Sequence, residues 1–287
     1  MIVFGLEKSA GLAWEVAKVL GAEQGKIETK WFPDDECYMR VQSRVKNQEV
    51  AVIASIRSSD DFVSLLLTLD ALRGAGARLI HTVTPYLAYM RQDKIFKEGE
   101  ALSARMILRM LDELSDDITT VNCHFLDESG LHVFHDVNLR NLDAIPIIVE
   151  YFGSKVKNPL VIAPDAGSLA YAKRAAQLLD CEFNHLQKKR LSGEEVVIKD
   201  KTIDAKGRDV IILDDIISTG GTILNACKVI RSWRPSSINV GCVHGLFLNG
   251  FEQFSDVVDR LVCTNSLETP LSKVSVAKLI AKDLLAQ

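Results

Sequence analysis

The segment V-I-I-L-D-D-I-I-S-T-G-G-T at residues 210–222 carries the strongest fold signal in the chain. Its first four residues are apolar and predict a buried strand, after which the acidic pair Asp214 and Asp215 emerges. A helical pattern with one apolar face begins at Thr222. A buried strand, a short polar loop and a helix in this order predict an α/β fold, in which ligands bind beyond the carboxyl ends of the strands.

The same alternation of short β-branched runs and longer amphipathic segments extends along the chain. Strands are predicted at residues 2–4, 50–54, 79–83, 118–121, 160–163, 210–213, 238–242 and 257–262. Helices are predicted at residues 11–20, 61–72, 103–114, 169–179, 222–232 and 275–285. This alternation implies mostly parallel sheets flanked by helices on both faces.

The strand–loop–helix pattern occurs twice, because residues 50–72 mirror residues 209–230. In the first copy Ser55 and Ile56 stand where the second has its two acids, and the acids at positions 60 and 61 stand where the second has two glycines. We therefore expect a duplicated fold with one functional loop and one degenerate loop.

The join between the two copies is predicted near residues 141–148, where Asn, Asp and Pro interrupt the apolar pattern. This gives an N-terminal domain at residues 1–144 and a C-terminal domain at residues 145–287. The last helix follows Pro270 and could pack on either domain.

The composition is that of a globular protein with a large core: the 287 residues are 47% hydrophobic and 25% charged. The formal net charge of -4 argues against a broad nucleic-acid surface, which would need a basic excess. No segment has the length of a membrane span, and no secretory leader is evident, so we expect a cytoplasmic protein without a membrane partner. The six cysteines form no C-x-x-C pair and are expected to be reduced, buried thiols.

The loop that follows the acids is suited to a phosphate. Gly220 and Gly221 let the backbone approach an anion, and the following helix directs free N–H groups at the same place. Asp214 and Asp215 would repel phosphate, so they are expected to accept hydrogen bonds from vicinal hydroxyls or to hold a cation. Phosphate at one end and a diol at the other describe ribose 5-phosphate. The hydroxyls that the loop offers to the phosphate are those of Ser218, Thr219 and Thr222.

The alternative is an ordinary strand-to-helix turn in which the two acids cap the helix. A Walker loop is excluded, because no G-K-[ST] follows.

The acid-acid loop resembles the fingerprint of the phosphoribosyltransferase superfamily, and further motifs resemble the ribose-phosphate diphosphokinase family. These are F-P-D-D-E at 32–36, T-P-Y at 84–86, R-Q-D-K at 91–94, P-D-A-G-S at 164–168 and K-K-R at 188–190. The matches run in order over nearly the whole chain, and tandem duplication is also a feature of that family. The resemblance implies two tandem phosphoribosyltransferase-like domains and an enzyme that transfers the β,γ-diphosphoryl group of ATP to the anomeric hydroxyl of ribose 5-phosphate. The products would be AMP and 5-phosphoribosyl 1-diphosphate, for nucleotide biosynthesis.

The resemblance also implies the residues that contact ATP. Arg91 and Gln92 would bind the nucleotide, although the tetrapeptide alone would favour a solvated loop. Phe32, Asp34 and Glu36 would reach a neighbouring subunit's adenine, although a Phe flanked by acids is more often a core plug. The shared adenine site implies a homo-oligomer, at least a dimer. The family usually has Gly at the position of Asp35.

Magnesium and catalytic positions complete the implied site. The resemblance implies that His124 and Asp165 are associated with Mg²⁺. The structural alternatives are that His124 is an ordinary structural histidine and that Asp165 is a helix N-cap. It gives Lys188 and Arg190 the catalytic role of neutralising charge during phosphoryl transfer, whereas a short basic cluster is usually solvent-facing. Two departures from the family pattern lie close by: Asn122 replaces an acid, and Ser168 replaces the more usual second Gly.

Two other functions share the loop at 214–222. A phosphoribosyltransferase would consume the sugar diphosphate, but it would not need the first domain or the motifs at 32–36 and 91–94. A non-catalytic regulatory relative would be expected to lose the paired acids or the Lys188 and Arg190 pair, and both pairs are present.

Overall fold

The protein forms two compact units in a computed structural model that describes residues 1–190, 196–199 and 203–287, with 187–190 and 196–199 described as backbone alone. The first unit contains residues 1–143, 266–268 and 275–287. The second unit contains residues 144–265 and 269–274. The end of the chain therefore returns to the first unit after completing the second.

The first unit is built on a seven-stranded sheet with the order β2-β1-β5-β6-β7-β9-β8. All of its neighbouring pairs are parallel except β8 with β9. The strands β3 and β4 form a separate antiparallel hairpin. The strands of this unit are β1 (Ile2–Gly5), β2 (Glu23–Gln24), β3 (Ile27–Trp31), β4 (Cys37–Val41), β5 (Glu49–Ile53), β6 (Leu79–Thr84), β7 (Asp117–Val121), β8 (Gly130–Phe134) and β9 (Val137–Leu142).

The second unit is built on a six-stranded sheet with the order β11-β10-β14-β15-β16-β17, and all of its neighbouring pairs are parallel. The strands β12 and β13 pair as an antiparallel hairpin. The strands of this unit are β10 (Pro159–Ala163), β11 (Glu182–His185), β12 (Gln187–Arg190), β13 (Val196–Lys199), β14 (Asp209–Ile217), β15 (Ser237–Gly245), β16 (Arg260–Thr264) and β17 (Ser272–Val274).

Five helices (α1, α2, α3, α5 and α6) connect parallel strands of one sheet as βαβ crossovers do, whereas α4 joins the two sheets and α7 follows the last strand. Helices α1, α2, α3 and α7 belong to the first unit, and α4, α5 and α6 belong to the second. None of the described helices is long and apolar enough to cross a membrane. The helices are α1 (Ala10–Leu20), α2 (Ser59–Gly74), α3 (Ser103–Leu114), α4 (Ile145–Gly153), α5 (Leu169–Leu179), α6 (Gly221–Ser232) and α7 (Ala277–Leu284).

Each unit has its own apolar core between sheet and helices. In the first unit Val50 and Val52 of β5 pack with Leu65 and Leu69 of α2 in one buried cluster. In the second unit Ile212 of β14 lies in the cluster that holds the apolar face of α6. That face consists of Ile223, Ala226, Cys227 and Ile230, which are all buried.

The predicted α/β fold with two mostly parallel, helix-flanked sheets is confirmed, and two local predictions are wrong. The strand predicted at 210–213 continues to Ile217, so the two acids lie within it and not after it. The strand predicted at 257–262 begins only at Arg260. Helix α4 was not predicted; it begins within the segment 141–148 and accommodates Pro146, because N–H groups of the first helical turn have no intrahelical partner.

Candidate functional site

The second sheet has a topological switch point between its adjacent inner strands β10 and β14. The chain leaves β10 toward β11 on one side and leaves β14 toward β15 on the other. In open α/β sheets this divergence opens a crevice at the carboxyl ends of the strands, where ligands bind. The loop after β10 contains Asp165, and the end of β14 contains Asp214 and Asp215. Three predicted site residues therefore lie at one edge of one sheet.

Hydrogen bonds connect these acidic residues through a serine. Oδ1 of Asp214 accepts from the Ser168 hydroxyl at 3.0 Å and from the backbone N–H of Asp215 at 3.1 Å. The same hydroxyl lies 3.3 Å from Oδ1 of Asp165. Asp165 is not the N-cap of α5, because that position is held by Ser168. The loop after β10 and the strand β14 are thus joined at the crevice.

The carboxyl group of Asp214 binds a proton unusually tightly. Burial, with the negative charge of Asp215 as the next cause, raises the pKa of Asp214 to about 8, and Asp165 acts in the same direction. The hydrogen bond from Ser168 opposes the shift. The crevice therefore disfavours a second negative charge beside Asp215, and it suits a cation or the hydroxyl groups of a ligand.

The loop at 218–222 connects this acidic end to helix α6. Gly220 is the N-cap, with φ +88°, and no side chain caps the helix. Ser218 is half-buried, whereas Thr219 and Thr222 are exposed. Within the described residues, none of the three hydroxyls has an intramolecular hydrogen bond. The N-terminus of α6 thus presents backbone N–H groups beside hydroxyls, which is a favourable arrangement for a phosphate.

The loop is braced from behind by the segment 248–254, which the sequence did not single out. The Leu248 N–H donates to the Ser218 carbonyl at 2.9 Å. The Gln253 amide donates to the Thr219 carbonyl at 3.0 Å and to the Gly250 carbonyl at 2.8 Å. No motif marks Gln253, because its contacts depend on how the chain returns after β15.

The corresponding crevice of the first unit is closed by its own side chains. The N-cap of α2 is Ser58, which forms a capping box with Asp61. The Asp61 carboxylate accepts from the N–H groups of Arg57 and Ser58 and pairs with Lys8 at 2.7 Å. The position that matches Gly220 is therefore Ser58 and not Asp60, which corrects the sequence pairing. A carboxylate occupies the place that would receive a phosphate.

Further contacts reinforce this closure in the first unit. The Ser55 N–H donates to the Ser9 hydroxyl at 2.8 Å, and the Ser55 hydroxyl donates to the Ser266 carbonyl. The first copy of the duplication thus has its anion site filled, whereas the second copy has it open.

The aromatic loop of the first unit is the turn of the β3–β4 hairpin. Phe32 is 49% exposed, which rules out a role as a core plug. Its N–H donates to the Glu36 carbonyl at 2.9 Å, and Asp34 and Glu36 are exposed. Asp35 has φ +66°, so it adopts the left-handed conformation that glycine takes most easily. The hairpin therefore presents an aromatic ring and two carboxylates to its surroundings.

The loop with Arg91 and Gln92 is organised by Glu100, which the sequence reading missed. Oε2 of Glu100 accepts from the Phe96 N–H at 2.8 Å, the Lys97 N–H at 3.0 Å and the Gln92 amide at 3.1 Å. The Gln92 amide also donates to the Lys94 carbonyl. Arg91 is exposed. The Gln92 amide therefore stabilises the loop in this conformation. It would have to break these hydrogen bonds in order to donate to a ligand.

The described residues contain no group of three or more His, Cys, Asp or Glu side chains that could hold a metal by themselves. His124 is exposed in the turn three residues beyond β7, and not at the strand end itself. Asp165, Asp214 and Asp215 are oxygen donors at one crevice, which is the chemistry that Mg²⁺ prefers. Mg²⁺ is commonly held by one or two carboxylates together with waters and substrate phosphates, so these residues fit that ion without a closed cage.

The two predicted catalytic residues, Lys188 and Arg190, lie on β12, which pairs with β13. Their side chains lie outside the described part of the structure. Their roles stay predictions from the sequence.

Two family models match the chain in order. The N-terminal domain of ribose phosphate pyrophosphokinase matches residues 1–114, and a phosphoribosyl transferase domain matches residues 138–253.

Curated relatives match over nearly their full length. The ribose-phosphate pyrophosphokinase 2 of Archaeoglobus fulgidus is 39% identical over 275 residues, which cover 95% of this chain and 96% of the relative. The ribose-phosphate pyrophosphokinase of Methanothermobacter thermautotrophicus is 38% identical over 285 residues, with 98% of each chain covered. A solved structure of phosphoribosylpyrophosphate synthetase from Mycobacterium smegmatis superposes with a TM-score of 0.86 at 24% identity, covering 99% of this chain and 97% of that one. This last similarity shows a common fold.

Proposed function

The chain belongs to the ribose-phosphate pyrophosphokinase family, which is the family that the sequence motifs resemble, and on that premise we propose that it makes 5-phosphoribosyl 1-diphosphate. In this reaction the anomeric hydroxyl of ribose 5-phosphate attacks the β-phosphorus of ATP. AMP leaves, and the diphosphate remains on the sugar. The observation that carries the proposal is the contrast between the two loops: the N-terminus of α6 is open, whereas that of α2 is occupied by Asp61.

The second unit supplies the sugar site in this proposal. The 5-phosphate lies on the N–H groups and hydroxyls of residues 218–222, with Gly220 and Gly221 allowing close approach. Asp214 and Asp215 accept hydrogen bonds from the ribose hydroxyls. Oδ1 of Asp214 accepts from the Asp215 N–H, and Oδ1 of Asp215 accepts from the Ile216 N–H. These bonds hold the two carboxylates in defined positions, which favours a single orientation of the sugar.

The first unit supplies nucleotide contacts. Arg91 is free to stack on the purine or to pair with phosphate. Phe32, Asp34 and Glu36 would bind the adenine of a neighbouring subunit, which makes the enzyme at least a dimer. The exposure of the Phe32 ring on the turn of the hairpin supports this assignment.

We also propose a cytoplasmic location for the protein.

Asp165 in the second unit and His124 in the first are each proposed, from the family resemblance, as residues associated with Mg²⁺ and the substrate phosphates. When bound, the ion would neutralise phosphate charge and orient the groups that react. Lys188 and Arg190 are proposed to neutralise the charge that spreads over the transferred group. The proton of the anomeric hydroxyl is released to solvent late in the transfer, so no side chain is required as a general base, and no covalent intermediate is formed.

One assay tests the reaction itself. The protein is incubated with ATP, Mg²⁺ and ribose 5-phosphate, and AMP is quantified together with 5-phosphoribosyl 1-diphosphate. Equal amounts of the two products are expected. A phosphoribosyltransferase would form neither product, and it would instead consume 5-phosphoribosyl 1-diphosphate in the presence of a base.

Asp215→Ala should raise the KM for ribose 5-phosphate more than the KM for ATP. Asp215 is 7% exposed and belongs to the proposed diol site, so its loss removes an acceptor for a sugar hydroxyl. Steady-state AMP formation with each substrate varied in turn measures the two constants. Equal increases in both constants would argue against a diol contact.

Ribose 5-phosphate should bind more tightly as the pH rises toward 8 in the absence of divalent cations. Burial raises the pKa of Asp214 to about 8, so below that pH the carboxyl group is mostly protonated, and it then accepts a hydrogen bond from the sugar less strongly than the carboxylate does. The dissociation constant should therefore fall by up to about tenfold per pH unit below 8. Calorimetric titration from pH 7 to 9 measures it, and Asp214→Asn is the control that should show a flat profile. A flat wild-type profile would contradict the assignment.

A further inference from the structure

The hydroxyl of Ser168 is shared between two carboxylates. It lies 3.0 Å from Oδ1 of Asp214 and 3.3 Å from Oδ1 of Asp165, and Ser168 is 1% exposed. A serine hydroxyl has one proton to donate, so it can serve only one of the two acceptors fully. The shorter distance favours Asp214. This single buried group connects the loop after β10 to the carboxylate at the end of β14.

The ordinary structural role of this serine is not used. Ser168 is the N-cap of α5, where a serine side chain usually accepts a hydrogen bond from the first turn and stabilises the helix by about 1 kcal/mol. No such side-chain bond is formed here. The hydroxyl points instead to the two acids at the crevice. Helix capping therefore does not account for its orientation.

We infer that Ser168 is a positioning residue for the sugar. Its hydroxyl holds the Asp214 carboxylate in the orientation that receives the ribose diol, and it ties that carboxylate to the loop of Asp165. The inference rests on the proposed function for the identity of the ligand. It extends the sugar site to a residue that does not itself need to touch the sugar.

The geometry sets the effect of removing the hydroxyl. Oδ1 of Asp214 would keep the N–H of the next residue, Asp215, and would lose the hydroxyl donor of Ser168. The carboxylate would then be less constrained about its side-chain torsions. Because hydrogen bonds to charged groups contribute more than neutral ones, we expect the dissociation constant for ribose 5-phosphate to rise about tenfold or more in Ser168→Ala. The KM for ATP should change little.

Ser237 of β15 offers a matched control, because its hydroxyl bonds to an aspartate of β14, the strand that carries Asp214. Its hydroxyl donates to Oδ1 of Asp209 at 2.7 Å, and the residue is 9% exposed. Asp209 begins β14, so this serine–aspartate bond lies at the end opposite the crevice. Ser237→Ala thus removes a comparable bond to the same strand. It should leave ribose 5-phosphate binding unchanged.

The experiment compares wild type, Ser168→Ala, Ser168→Cys and Ser237→Ala. Calorimetry with ribose 5-phosphate alone gives dissociation constants, and AMP formation gives KM and kcat for each substrate. The thiol of Ser168→Cys fills the space but is a weak donor, so this variant should resemble Ser168→Ala. It also decides the question alone if Ser168→Ala does not fold.

The outcomes separate the two proposals. Weak sugar binding in both Ser168 variants, with Ser237→Ala normal, supports the inference. A wild-type dissociation constant in Ser168→Ala overturns it, and so does normal binding in Ser168→Cys, which would show a packing role. A wild type that binds ribose 5-phosphate but forms no AMP overturns the proposed reaction and leaves the inference to be decided by the binding constants. A wild type that does not bind the sugar overturns both.

Discussion

Gly220→Ala is expected to lower the rate of AMP formation at subsaturating ribose 5-phosphate by more than about a hundredfold, the scale of losing substrate position by 1 Å. Two effects act together. Gly220 has φ +88°, a conformation that side chains with a Cβ rarely adopt. An added Cβ would also lie 2.6 Å from Cζ of Phe254, which is buried and fixed. The N-terminus of α6 would have to move, and it carries the proposed phosphate site.

Gly207→Ala separates backbone strain from displacement of the loop. Gly207 has φ +68°, but nothing lies within 4 Å of the Cβ that would be added. It precedes β14, on which the acids lie. This variant should lose stability by about 1 kcal/mol through strain and should keep its KM for ribose 5-phosphate. Thermal unfolding and steady-state kinetics on both variants make the comparison.

Normal KM and kcat in the Gly220→Ala variant would show that the 218–222 loop is not part of the sugar site. Normal unfolding together with lost activity would instead locate the effect in the site. If both glycine variants lost activity in proportion to their stability, the cause would be general destabilisation of the second unit.

The fold was largely predictable because its signals are local. Apolar runs such as residues 160–163 and 238–242 could be read as buried strands from composition alone, and they are. The short edge strand β2 and the hairpin strand β4 were not predicted. They have few buried residues, and therefore no continuous apolar pattern. Their existence depends on pairing with distant segments.

The candidate site was predictable in its residue types but not in its connections. The sequence pointed to Asp165 and Asp214 separately, because each follows or ends an apolar run. It could not show that one hydroxyl joins them, since Ser168 and Asp214 are 46 positions apart. The same holds for Glu100 and Gln253, whose roles come from backbone groups that only the folded loops bring within reach.

The closed first copy also shows what pattern comparison misses. Alignment of the two copies by position placed Gly220 opposite Asp60. The N-cap residues of α2 and α6 instead place Gly220 opposite Ser58. The loop between β5 and α2 is longer than the loop between β14 and α6, so equal sequence spacing does not mark equivalent positions. The physical distinction between the copies is whether a side chain already occupies the helix N-terminus.

Lys188→Ala should lower kcat by about a hundredfold or more and should change substrate affinity little. The argument comes from charge. Burial, followed by the negative charges of Asp215 and Asp165, raises the pKa of Asp214 to about 8, so the crevice is unfavourable for negative charge. A diphosphoryl group that moves to a sugar there adds further negative charge, so cations must neutralise it in the transition state. Lys188 and Arg190 are the basic residues that the family resemblance assigns to this task.

Lys189→Ala is the matched control for that prediction. Lys189 lies between the two proposed catalytic residues on β12, and the family resemblance assigns it no catalytic role. It removes the same charge from the same strand and should keep kcat near the wild-type value. Single-turnover AMP formation with saturating ATP and ribose 5-phosphate isolates the chemical step. A near-normal rate in Lys188→Ala, or equal losses in both lysine variants, would show that net charge on the strand and not a directed contact controls the reaction.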